Sequence, residues 1–139
     1  MSVHSTVITV NTRGFNDVHN ITSEASAFLD SSDVQSGLFC ACVPGSTAGI
    51  TTIEYEEGAL DDLRSAIERI APADIHYEHD KRWGDGNGFS HVRAALLGPS
   101  LCVPVEGGRL RLGTWQQIVL IDFDNRPRRR EVIFEIVGE

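Results

Sequence analysis

The chain has 139 residues, a mass of 15.2 kDa and 41% apolar residues, which suits one domain, 1–139, with one core. Lys and Arg number 12 against 20 Asp and Glu, a formal net charge of −8, and this excludes binding nucleic acid or lipid through a diffuse positive surface. An anionic ligand must instead be held by a local pocket, and with no apolar run near the roughly 20 residues of a membrane span and no basic-then-apolar leader in Met1-Ser2-Val3-His4-Ser5 the chain reads as cytoplasmic.

Val3 to Thr12 alternates and is rich in β-branched residues, predicting a half-buried strand that ends at Arg13-Gly14. Asp17 is placed to cap a helix whose stripe is Ile21, Ala25, Phe28 and Leu29. Gly37 to Val43 and Thr47 to Tyr55 read as strands joined through Pro44-Gly45-Ser46, as a hairpin or a tight connection. Leu60, Leu63, Ile67 and Ile70 form the clearest helical stripe, bounded by Gly58 and Pro72. From Ala73 to Phe89 no period is usable; a loop this long is either functional or disordered, its aromatic and charged residues argue against disorder, and a solvated loop of ordinary polar turns is the bland alternative. Ser90 offers an N-cap for a short helix through Leu97, stopped by Gly98-Pro99. Ser100 to Val105 and Arg109 to Leu112 are strands around Glu106-Gly107-Gly108. Trp115 to Phe123 contains four consecutive branched residues, the mark of a central strand covered on both faces, and Arg130 to Val137 alternates again. The sum is an α+β chain of about seven strands and three helices, two longer and one short, with a largely antiparallel sheet.

Cys40, Cys42 and Cys102 are an odd number in a chain large enough to fold without staples, which argues against a disulfide framework. Cys40 and Cys42 would share one face of a strand, and small buried core residues is the favoured reading over metal or redox work. Arg126, Arg128, Arg129 and Arg130 form a basic cluster, by default a solvated turn and alternatively an ion-pair contact with another subunit.

Chemistry concentrates in His76-Tyr77-Glu78-His79-Asp80, Asp85-Gly86-Asn87-Gly88 and Ser90-His91. Imidazoles and carboxylates packed this closely can bind a hard or borderline divalent metal, Mg or Zn, or exchange protons near neutral pH. The Gly-rich run before a helix start also makes Asn87 to His91 a candidate anion cradle, with His91 and Arg93 in its first turn and Lys81 and Arg82 within reach. Trp115 and Gln116 could stack on and hydrogen-bond a planar heterocycle, although a tryptophan is more often core. Glu54 is either a strand-end charge in water or a buried carboxylate with a raised pKa.

Six segments, Gly45-Ser-Thr-Ala-Gly-Ile-Thr-Thr-Ile-Glu54, Tyr77-Glu-His-Asp80, Ser90-His91, Leu97-Gly-Pro-Ser100, Gly113-Thr-Trp-Gln116 and Arg128-Arg-Arg130, resemble the YjbQ-like proteins, the secondary thiamine-phosphate synthase family. The resemblance implies two β-sheets with helices packed outside and assembly as a homotrimer. It also implies a weak or secondary condensation of a pyrimidine diphosphate with a thiazole phosphate. On that reading Glu54, His79, Asp80 and His91 are catalytic, Lys81, Asn87, Ser90, Trp115 and Gln116 bind a small phosphorylated substrate, and His79, Asp85 and His91 hold the metal. Many members carry His at the position of Gly45, so a three-histidine site would here need His76 or Asp85 as a substitute. A non-catalytic module binding a small molecule, an anion or a metal is the alternative.

Overall fold

The computed structural model describes Met1–Glu139. Eight strands and four helices follow in the order β1 (Ser2–Thr12), β2 (Asp17–Asn20), α1 (Thr22–Ser32), β3 (Ser36–Cys42), β4 (Ala48–Glu54), α2 (Glu57–Ile70), α3 (Glu78–Trp83), α4 (Gly88–Leu97), β5 (Ser100–Glu106), β6 (Arg109–Leu110), β7 (Gln116–Asp122) and β8 (Arg128–Gly138). Every ladder is antiparallel. The α+β class therefore stands, with one short strand, β2, and one short helix, α3, added to the expected set.

The strands make a five-stranded sheet, β1-β8-β3-β5-β6, and a three-stranded sheet, β2-β7-β4. Period-2 alternation sends Phe39, Ala41, Val103, Val105, Val132, Phe134 and Ile136 of the larger sheet toward Ile50, Ile118 and Leu120 of the smaller one, and Ala25 and Leu29 of α1, with Ile21 just before it, join this core. The other face of the small sheet gives Val18, Val119, Ile121 and Phe123 to a second core with Leu60 of α2 and Ala94 of α4. That division explains β7: its unbroken apolar run is buried on both faces, as its sequence predicts.

Several local expectations are corrected. Asp17 does not cap α1. It lies in β2, accepts from the Arg13 amide at 2.8 Å and pairs with His19 at 2.8 Å, while Asn20 Oδ1 takes the Thr22 amide at 3.1 Å at the helix start. Pro44-Gly45-Ser46 makes no hairpin, because β3 and β4 lie in different sheets. The α2 stripe turns Leu60 inward but leaves Ile70 exposed at its end. Asn87, not Ser90, is the α4 N-cap residue. The cysteines are not core: Phe39 and Ala41 take the inner face of β3, so Cys40 and Cys42 are half-buried on the outer face and Cys102 is exposed. No helix is long and apolar enough to cross a membrane.

Candidate metal centre

Residues 77–91 form a helix–turn–helix corner, α3 then α4, against the β4 end of the small sheet. Gly84 and Gly86, both at φ of 65°, bend the chain between the helices. At the corner the α4 N-terminus receives a side chain of the protein itself: the Gly88 amide donates to Asp80 Oδ1 at 2.8 Å. Only glycine fits there, because a Cβ at residue 88 would lie 2.5 Å from Cβ of Tyr77. The predicted anion cradle is thus filled internally by Asp80, whose negative charge suits the positive end of the helix.

Asn87 and Ser90 are likewise committed. Ser90 Oγ donates to Asn87 O and Oδ1, each at 2.7 Å, and Asn87 Oδ1 also accepts the Asn125 amide at 3.1 Å. Asn125 Nδ2 in turn donates to the Asp85 carbonyl at 2.8 Å, so the β7–β8 turn fixes the loop that carries Asp85. Arg93 points away from the corner. Buried, it donates to Ala71 O at 2.9 Å and Asn16 Oδ1 at 3.0 Å and pairs with Glu68, tying α4 to the end of α2.

This bracing brings His79, Asp80 and Asp85 together, with one ligand atom from each within 4.8 Å of the others. Nδ1 of His79 lies 3.7 Å from Asp80 Oδ1 and 3.5 Å from Asp85 Oδ1, yet it is buried and makes no hydrogen bond. Ligands about 2.1 Å from one tetrahedral ion stand about 3.4 Å apart. The observed separations fit a shared cation better than they fit aligned hydrogen bonds. His91 packs its ring on that of His79, centroids 4.3 Å apart. Burial, and then repulsion from His79, hold the His91 imidazole below its ordinary pKa, which favours the neutral, electron-pair-donating form at pH 7. His91 also lines a hollow of about 200 Å³ with Gly45 and Ser46.

Other predicted residues lie elsewhere. His76 pairs with Glu78 at 3.3 Å on the surface, and Lys81 pairs with the same carboxylate at 3.5 Å. Glu54 is an exposed strand end in register with Gln116, at the opposite end of β4 from Ala48, which lines the His91 hollow. Six strand steps separate those ends, about 20 Å at roughly 3.3 Å each. Trp115 is exposed beside that far end rather than core, and Gln116 is held by the Gly113 amide at 3.0 Å and Thr52 Oγ at 2.9 Å. Glu54, Trp115 and Gln116 therefore do not share a pocket with the histidines.

A buried polar network was not foreseen. Arg130 donates Nε to Asp122 Oδ2 at 2.7 Å and Nη2 to Asp122 Oδ1 at 2.9 Å and to Thr47 Oγ at 2.6 Å. Thr12 Oγ donates to Asp122 at 2.6 Å, and Asp124 Oδ2 accepts from Thr47 and Arg128 at 2.9 and 3.0 Å. Half of the basic cluster is thus an internal clamp on the turn that holds Asn125, not a solvated turn. Alternation carried the signal: Arg128 and Arg130 share a face with Val132, Phe134 and Ile136.

The sequence profile described as "UPF0047 protein YjbQ-like" matches residues 6–139. The chain belongs to this family. An Archaeoglobus fulgidus UPF0047 protein is 38% identical over 84% of this chain and 88% of its own length, and one from Methanothermobacter thermautotrophicus is 35% identical over 100% and 95%. Among solved structures, a Sulfolobus solfataricus YbjQ-like protein of unknown function superimposes with a TM-score of 0.94 at 30% identity, covering 99% of both chains. A Clostridium acetobutylicum member of the yjbq/upf0047 family does so at 0.87 and 31% identity, covering 95% of this chain and 99% of its own. None of these relatives carries a named activity, and one is described as of unknown function, so the thiamine-phosphate synthase expectation is withdrawn. Geometry agrees, since the aromatic wall assigned to a pyrimidine lies at the far end of the small sheet from the histidines.

Proposed function

We propose that this protein is a divalent-cation binder whose centre is His79 Nδ1, Asp80 and Asp85, with His91 beside it. The observation that carries the reading is the buried, unpartnered His79 Nδ1 between two carboxylates. One imidazole with two carboxylates suits a borderline cation such as Zn²⁺ or Mn²⁺ over Mg²⁺, which prefers oxygen ligands and keeps its water. In a chain of net charge −8 a bound cation supplies the local positive charge that a small anionic molecule, phosphorylated ones included, requires. The protein's part is to hold the ligands at fixed separation: Gly88 anchors Asp80, and Asn125 anchors the Asp85 loop.

Isothermal titration with Zn²⁺ and Mn²⁺ tests this. One site per chain is expected, abolished in His79→Ala and weakened at least tenfold in Asp85→Asn. Equal binding by wild type and His79→Ala would refute the assignment.

Assembly as a homotrimer belongs to the same proposal, supported by β1, an 11-residue strand with one edge unpaired in the larger sheet. Light scattering is expected to give three times the 15.2 kDa chain mass, and a monomer would refute it.

A further inference from the structure

The outer face of the five-stranded sheet carries a feature that the cation centre does not use. Cys40 of β3 and Cys102 of β5 are register partners in an antiparallel ladder. Both point outward, because Phe39, Ala41, Val103 and Val105 occupy the inner face. The phase of the ladder fixes how close they come. The Val43 amide donates to the Pro99 carbonyl at 2.9 Å, and residues 43 and 99 continue the Cys42–Ser100 register, so this is a hydrogen-bonded pair. Hydrogen-bonded and open pairs alternate, which makes Cys40–Cys102 and Leu38–Pro104 open pairs. Pro104, with no amide hydrogen to give, occupies such an open position, and its carbonyl turns away to accept from Arg111 at 2.9 Å.

Open pairs bring Cα atoms to about 4.5 Å, inside the range a disulfide spans, with Cβ atoms at or slightly beyond its upper limit. The register sets the two thiols side by side on the outer face. The neighbouring Cys102 thiol, then burial, pushes the Cys40 thiol up to about 11. Cys42 faces Ser100 instead and has no thiol opposite it.

We propose that Cys40 and Cys102 form a reversible cross-strand disulfide that staples β3 to β5 in response to small-molecule disulfides. The exposed Cys102 attacks first as its thiolate: its sulfur bonds to one sulfur of the small disulfide, the S–S bond breaks, and the other half leaves as a thiolate that takes up a proton. The Cys40 sulfur, giving up its proton, then attacks Cys102 of the mixed disulfide and expels the second thiol. Two protein thiols and one small disulfide become one protein disulfide and two small thiols, so electrons and protons balance. Cys40 is the resolving partner because it is half-buried while Cys102 is reached from solvent. A bond closed at the edge of the allowed Cβ distance is easily reduced, which makes the staple labile rather than structural.

The test incubates the full-length protein with oxidised and reduced glutathione at a series of ratios, followed by acid quench, alkylation and peptide mass mapping. Wild type is expected to give a Cys40–Cys102 linked peptide within one chain, with Cys42 alkylated. Cys40→Ser is expected to accumulate a glutathione adduct on Cys102. Cys102→Ser should form no linked peptide, and Cys42→Ser should behave as wild type. A dominant Cys40–Cys42 or interchain bond, or three thiols that alkylate independently even in excess oxidised glutathione, would overturn the proposal. The wild-type map alone decides this if a variant fails to fold.

Discussion

Replacing Arg130 by Met removes the positive member of a buried ion pair while keeping most of the side-chain volume. Three hydrogen bonds are lost, two to Asp122 and one to Thr47. Asp122, fully buried, keeps only the Thr12 hydroxyl at 2.6 Å and the Asp124 amide at 3.0 Å. Stranding a buried carboxylate in this way costs about 3–5 kcal/mol, a large share of the roughly 5–15 kcal/mol by which a domain of this size is stable. For this length the loss corresponds to a melting temperature lower by about 10–20 °C. Arg129→Met is the internal control, because Arg129 lies on the opposite, exposed face of β8, with a surface pair to Glu131 at 3.4 Å, and is expected to cost less than about 1 kcal/mol. Differential scanning calorimetry of both variants measures the contrast. Melting temperatures within about 2 °C of each other would refute the claim that the Arg130 clamp is a buried energetic centre.

Gly88→Ala is expected to cost about 1–3 kcal/mol by urea denaturation, because its Cβ would meet Tyr77 Cβ at 2.5 Å, and to weaken cation binding through the displaced Asp80; wild-type affinity would contradict the role given to that corner. Burial alone would raise the Asp124 carboxyl, but the hydrogen bonds from Thr47 and Arg128 outweigh it and hold the group below its ordinary value. A carboxylate with a depressed folded pKa contributes stability that is present above its unfolded value, about 3.9, and is lost as pH falls through the folded one. The melting-temperature gap between wild type and Arg128→Gln is therefore expected to be widest from pH 5 to 7 and to shrink in acid. A constant gap would sink this reading.

Most strands were legible because alternation reports a half-buried face directly, and β7 because an unbroken branched run needs two apolar faces. Helix α3 was not. Its six residues, Glu78–Trp83, present no apolar stripe and none is buried, so tertiary bracing rather than periodicity makes it helical. Period 2 also says that Cys40 and Cys42 share a face without saying which, and the more apolar Phe39 and Ala41 took the inside. In the candidate site, His79, Asp80, Asp85 and His91 were found together because they are close in sequence and a short corner cannot spread them far. Joining Glu54 and Trp115 to them failed for the opposite reason: they are distant in sequence, and a strand's residues do not reveal which of its ends faces a given loop. Arg130 was missed because arginine counts as surface until its register with Val132 and Phe134 is considered.

The cation centre is tested most directly by an anomalous difference map from crystals equilibrated with Zn²⁺ and measured on either side of the zinc edge. The structure predicts one peak per chain about 2.0–2.2 Å from His79 Nδ1 and from an oxygen of Asp80 and of Asp85. No peak at that corner, or a peak bound only by surface carboxylates elsewhere, would contradict it.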